Sequence, residues 1–128
     1  MSTEVTAGIK VTVETFFQPT NSKPVQHHYV FAYRITISKE REESIKLKRR
    51  HWYIIDSDNA RREVEGEGVV GEQPVIEPGQ LYQYVSGCNL NTEIGKMYGT
   101  YLMERLNDNK MFYVKIPEFR MVVPSKMN

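Results

Sequence analysis

Cysteine is nearly absent from this chain of 128 residues; Cys88 stands alone. One thiol excludes an intrachain disulfide and fits a reducing compartment, so a cytoplasmic protein is expected. Excess charge is also missing. Lys and Arg number 17 against 16 Asp and Glu, a net charge of +1. That balance gives no global electrostatic case for nucleic acid or for an anionic membrane. No stretch approaches the roughly 18 apolar residues that a spanning helix requires. The start, Met1-Ser2-Thr3-Glu4-Val5-Thr6-Ala7, has no basic segment leading into an apolar one, so no signal peptide is expected. No window carries a convincing helical period, and no repeat, low-complexity segment or linker divides the chain.

What remains is ordinary globular composition, 40% hydrophobic and 26% charged. One domain over residues 1–128 is expected, large enough to bury roughly two thirds of its unfolded surface. Its pattern is period two. Ile9, Val11, Val13, Thr15 and Phe17 alternate with Lys10, Thr12, Glu14 and Phe16. Tyr29, Phe31, Tyr33, Ile35 and Ile37 form a second alternating run after the loop residues 18–24. In the third, Ile45 and Leu47 share one parity while Trp52 and Ile54 take the other. Either a bulge near Arg49-Arg50-His51 resets the phase or both faces are covered there. Asp56–Ala60 reads as a turn into a strand at Arg61–Glu65. Further strands are expected around Leu81–Val85, Lys96–Met103 and Phe112–Ile116. Ser86–Asn91 is expected to turn the chain, and Asn107-Asp108-Asn109 to close a hairpin. Pro117 interrupts the last strand, after which Phe119, Met121 and Val123 continue along an edge. Residues 1–7 and 124–128 are expected to fray. About seven strands at this spacing point to an all-β, immunoglobulin/fibronectin III-like β-sandwich with Trp52 as its inter-sheet plug.

Gly66-Glu67-Gly68-Val69-Val70-Gly71 matches the G-x-G-x-x-G spacing of dinucleotide-binding turns. There, the pattern opens a helix whose amides hold pyrophosphate. Here Pro74, Pro78 and Gly79 follow, and an amphipathic helix cannot start across them.

Several stretches together resemble the ApaG family. They are Arg50–Asp56, Val64–Pro74, Pro78-Gly79, Tyr84–Gly87, Gly95–Tyr101 and Ile116–Phe119. The resemblance runs from about Val11 to Val123. It implies a fibronectin III-like sandwich, and relatives linked to magnesium and cobalt handling in bacteria. It also implies related domains in eukaryotic F-box and polymerase-interacting proteins, and hence a protein-interaction module. The family has no assigned catalytic residues. Its glycine motif is commonly suggested to bind phosphate or pyrophosphate, which carries over to Gly66, Gly68 and Gly71 as a hypothesis.

Consecutive amides in such a loop can form an anion-binding nest. The plain alternative is a loop that needs glycine for its turns and packs Val69 and Val70 into the sandwich; Glu65, Glu67 and Glu72 would also repel phosphate. Lys48, Arg49 and Arg50 are the candidate counter-charges, with Lys46, Lys48 and Arg50 sharing one face of a regular strand. They would steer an acidic partner or a phosphorylated ligand, or else form a solvated, edge-protecting face. His27 and His28 point opposite ways on a strand and chelate badly, and no Cys/His cluster or oxygen cage is present, so no metal site is expected. Cys88 has no paired histidine, and Asp56, Asp58 and Glu67 form no recognisable hydrolytic motif. The expectation is a non-enzymatic module without cofactor that docks a protein partner. The aromatic-rich segments Phe16-Phe17 and Tyr98–Tyr101 occupy both parities; one parity is expected in the core, and the other marks candidate contact residues. A phosphate, pyrophosphate or nucleotide module is the alternative.

Overall fold

The computed structural model describes residues 1–40 and 42–126. Among these residues nine strands form two antiparallel sheets: β1 (Ser2–Thr6), β2 (Ile9–Phe17), β3 (Tyr29–Lys39), β4 (Ile45–Asp56), β5 (Arg61–Glu67), β6 (Val75–Ile76), β7 (Leu81–Leu90), β8 (Ile94–Arg105) and β9 (Lys110–Val122). One sheet has the order β1-β2-β3-β7, and the other β5-β4-β8-β9 with β6 also on β4. The inner parity of each strand fills the space between them. Ile9, Ile35, Leu47, Tyr101 and Ile116 are all fully buried. Each such side chain contributes roughly 1.5–3 kcal/mol relative to exposure. Trp52, 2% exposed, plugs the centre, with edge-on contacts to Tyr33 and Phe119 at 5.5 and 5.8 Å.

The third strand resolves its phase conflict with a bulge. The register between β4 and β8 shifts between Leu47 and Arg49. One extra residue lets Ile45 and Leu47 face inward together with Trp52 and Ile54. This corrects the expectation that Lys46, Lys48 and Arg50 share a face. Arg50 takes the inward parity of Trp52, while Lys48 lies outside with its ammonium 3.7 Å from Glu104.

Pro117 sits in a second irregularity, where the register of β8 and β9 shifts between Met97 and Gly99. The missing N–H is tolerated because β9 is an edge strand. Ile116 and Phe119 thereby both reach the core.

Three expectations are corrected. Residues 2–6 do not fray; they pair with β2 from Ser2↔Val13 to Thr6↔Ile9. Ser86–Leu90 is not a turn but the second half of β7, paired with β3 as far as Tyr29↔Leu90. The strand begun at Arg61 runs on to Glu67, so the glycine cluster starts inside β5. At the C-terminus Pro124–Lys126 form a 3-10 turn, and the expected fraying of residues 127–128 lies outside the described residues.

Candidate functional site

The glycine cluster bridges two strands along one edge of β4. β5 pairs with β4 over Arg49–Ile55, and β6 pairs with it at Ile45 and Lys46. Between them lies the bulge, whose Lys48 carbonyl has no strand partner on that side. The amide of Gly68 donates to it at 2.8 Å and the Gln73 side chain at 3.0 Å. Val69 then turns inward and is fully buried. Its amide donates to the Glu72 carbonyl at 2.8 Å, and the Glu72 amide donates back at 2.9 Å. Val70 and Gly71 occupy the turn between them with φ of +44° and +80°. That is the two-residue turn with both central residues left-handed. Val70 is exposed at its tip.

Arg50 meets this loop. Its Nη1 donates to the carbonyls of Glu67 and Gly68, both at 3.0 Å. Its guanidinium lies over Gly66, where a β-carbon would come within 3.0 Å of it. Arg49 points outward and is exposed, opposite Glu67 in the register. Lys48 reaches the loop only through its carbonyl. The cluster thus brings together Gly66, Gly68 and Arg50, and leaves the Lys48 and Arg49 side chains outside it. The amides of Gly68, Val69 and Glu72 all donate to protein carbonyls.

A second surface was only partly marked by the sequence. On the outer face of the β5-β4-β8-β9 sheet, Tyr53 stacks on Tyr98 with ring centres 5.1 Å apart, and on His51 at 4.6 Å. The Arg61 guanidinium covers Tyr53 at 4.9 Å. His51 is held between Glu63 and Glu65, at 3.0 and 2.9 Å. A shallow cavity of about 80 Å³ opens beside it between Arg49, Glu65, Leu102 and Tyr113. Tyr113 is 67% exposed. Of the two parities left open for Tyr98–Tyr101, Tyr101 takes the core and is fully buried, and Tyr98 takes the outer face. Tyr53, Arg61 and Tyr113 were missed. The signal for Tyr53 was its parity after the bulge, opposite to Trp52.

The other candidates have structural surroundings. Asp56 is buried and accepts from the amides of Asn91 and Thr92 at 3.2 and 3.3 Å and from the Thr92 hydroxyl at 2.9 Å. Asp58 closes its own turn by accepting the Ala60 amide at 3.0 Å. Burial pushes the Cys88 thiol up, with the nearby Arg62 opposing, so the thiol stays protonated near neutral pH. Among the described residues no three His, Cys, Asp or Glu side chains gather in a way that could hold a metal ion. No helix among them is long and apolar enough to cross a membrane.

A two-sheet sandwich of the immunoglobulin and fibronectin III kind, carrying a glycine loop on one sheet edge and an aromatic outer face, is the class these features define. The model of the ApaG domain matches residues 19–105, and the chain belongs to the ApaG family. It is 45% identical over 126 residues to Protein ApaG of Brucella canis, covering 98% of this chain and 96% of that one. The crystal structure described as an ApaA protein from Bordetella pertussis superposes with a TM-score of 0.87 at 40% identity, covering 91% of this chain and 94% of that one. A further X-ray structure from a structural-genomics programme reaches 0.89 at 41% identity, covering 94% and 91%.

Proposed function

We propose that this chain is a non-enzymatic protein-interaction module whose docking face is the outer side of the β5-β4-β8-β9 sheet. The observation that carries this reading is Tyr53 with Arg61, Tyr98 and His51 all packed against its ring, continued by Arg49 and the exposed Tyr113. Tyrosine and arginine are the residue types that anchor protein interfaces, because they offer large rigid area with a polar end. Loops and sheet faces of such sandwiches carry function while the core carries the fold. In this reading any connection to magnesium or cobalt handling passes through the partner.

Affinity capture tests it, with the Tyr53→Ala/Tyr98→Ala/Tyr113→Ala variant beside the wild type. A partner retained by the wild type and lost by a thermally stable triple variant is the expected result. Identical captured proteins from both would overturn the reading.

Phosphate or pyrophosphate binding is the second reading, and what favours it is the meeting of Arg50 with Gly66 and Gly68. Against it stand the three loop amides already engaged by carbonyls. A titration with pyrophosphate followed at each amide separates the two. Saturable shifts confined to Gly66–Gly71 and Arg49–His51 favour the ligand; their absence at millimolar concentration leaves the loop structural.

A further inference from the structure

Apart from the two-residue β6, the two sheets end among the described residues in four edge strands, with β1 and β9 in contact on one side of the sandwich and β5 and β7 on the other. Three of these edges carry the features that stop strands pairing with neighbours. β1 has only five residues and its Glu4 is tied to Lys115 of β9 at 3.7 Å. β5, Arg-Arg-Glu-Val-Glu-Gly-Glu, has five charged residues in seven. β9 carries Lys110, Lys115, Glu118 and Arg120 as well as the bulge at Pro117. β7 has none of these along Leu81–Gly87, although Arg62 of β5 caps its far end at Asn89. Its ten residues, Leu-Tyr-Gln-Tyr-Val-Ser-Gly-Cys-Asn-Leu, include no charge and no proline. Its register with β3 runs from Leu81 to Leu90 without a break. On its outer face Leu81 is 65% and Val85 58% exposed.

One contact fixes the direction of the main-chain groups. Arg62 of β5 donates to the carbonyl of Asn89, so that carbonyl points away from β3. In an antiparallel ladder both main-chain groups of a residue point the same way and alternate along the strand. The amides and carbonyls of Leu81, Gln83, Val85 and Gly87 therefore aim with Asn89 at the open edge.

We propose that β7 is the seam of a two-fold homodimer in which it pairs antiparallel with β7 of a second copy, making one continuous eight-stranded sheet. Centred on Val85, the register pairs Val85 with its counterpart, Gln83 with Gly87 and Leu81 with Asn89. The Val85 and Gln83–Gly87 pairs join open main-chain groups, whereas at Leu81–Asn89 the incoming amide shares the Asn89 carbonyl with Arg62. Gly87 leaves room for the facing glutamine; a β-carbon there would meet nothing nearer than the Phe31 carbonyl at 3.5 Å.

Charge selects a second copy as the occupant. An uncharged strand meets itself without like-charge repulsion, which a two-fold contact requires of every residue in it. The adjacent β5 is basic at its start, Arg61 and Arg62, and acidic beyond, Glu63, Glu65 and Glu67. An antiparallel two-fold turns the arginine end of one β5 toward the glutamate end of the other. The seam brings β5, and with it Arg61, close to the aromatic face, but the pairing itself uses only the main chain of β7; substitutions at Val85 leave Tyr53, Tyr98 and Tyr113 in place, so this inference and the proposed function are tested separately.

Sedimentation equilibrium of the full chain from micromolar to millimolar concentration tests it, with amide hydrogen exchange on the same samples. The wild type is expected to dimerise with concentration, and exchange at Gln83, Val85 and Gly87 to slow as it does. Val85→Lys places a charge against its own copy, and Val85→Pro removes an outward N–H without touching the β3 ladder. Each is expected to weaken the dimer at least tenfold. A wild type that stays monomeric throughout would overturn the proposal. So would a dimer that both variants leave intact, or one that forms without slowing exchange on β7.

Discussion

The Gly68 amide donates to the Lys48 carbonyl at 2.8 Å, and this bond joins the bulge in β4 to the glycine loop. The bulge in β4 turns the Lys48 carbonyl away from the ladder, and the glycine loop supplies the donor that a regular strand would have supplied. The geometry that delivers it admits no other residue. Gly68 has φ of +61°, and a β-carbon there would lie 1.9 Å from the Glu72 carbonyl oxygen.

Gly68→Ala is therefore expected to cost about 3–5 kcal/mol, at the upper end for a single substitution. Gly71→Ala is the control. Its φ is +80°, but nothing lies within 4 Å of the position a β-carbon would take. Only backbone strain acts there, roughly 1–2 kcal/mol. Urea denaturation of the two variants gives the comparison. Equal losses would mean that the contact with Glu72 yields easily and that the loop is not rigid.

Val70 is the opposite case, a β-branched residue at φ +44° where the turn favours Asn or Gly. Val70→Asn is expected to stabilise the protein by about 1 kcal/mol, because asparagine tolerates the left-handed region. The thermal midpoint should rise accordingly. A fall would show that the Val70 side chain makes a contact worth more than its strain.

The legibility of this fold follows from the same residues. Tyr33, Ile35 and Ile37 alternate cleanly because their strand is central and buried on one face, and their placement could be read directly. The parity conflict between Leu47 and Trp52 left a bulge or two covered faces as the choices, and did not say which way Arg50 would face. Ser86, Gly87 and Asn89 carry turn chemistry, yet β3 holds them in register; pairing overrode local preference. β1 was invisible because Ser2–Thr6 is polar and gains its order from β2 and β9. The glycine spacing drew attention to a nucleotide-like pattern whose observed work is to cover a bulge. The parity of Tyr53 set it opposite Trp52, but that it joins Tyr98 and Tyr113 in one surface became readable only once the sheet order placed β4, β8 and β9 side by side.

Arg105 and Asp108 clasp the β8–β9 turn, with Nε to Oδ1 at 3.0 Å and Nη2 to Oδ2 at 2.6 Å. The Arg105 hydrogen bond, helped by the Lys110 amide, lowers the Asp108 carboxyl from its ordinary 3.8 to about 2. A carboxyl lowered in the folded state stabilises above its unfolded pKa and loses that contribution as pH falls through the folded one. The clasp should therefore hold at pH 4 and open near pH 2. Carboxyl carbon shifts across an acid titration check it, with Arg105→Ala expected to return Asp108 toward 3.8. A wild-type Asp108 already titrating near 3.8 would refute the clasp in solution.

The hydroxyls of Tyr84 and Tyr101 meet across the core at 2.5 Å, one from each sheet. Burial raises both well above the ordinary tyrosine value of 10.0. A raised folded pKa means stability that is complete below pH 10 and lost as pH climbs beyond it, since the unfolded chain ionises first. Alkaline unfolding should then coincide with the appearance of tyrosinate absorbance from these two rings. Tyr101→Phe alone deprives the buried Tyr84 hydroxyl of this partner and is expected to cost about 1–3 kcal/mol. Adding Tyr84→Phe removes the orphaned group, so the double variant should lose less than the sum of the singles. Denaturation of the four proteins measures that coupling. Strict additivity would show that the two hydroxyls do not depend on each other, and that each sheet supplies its own partner.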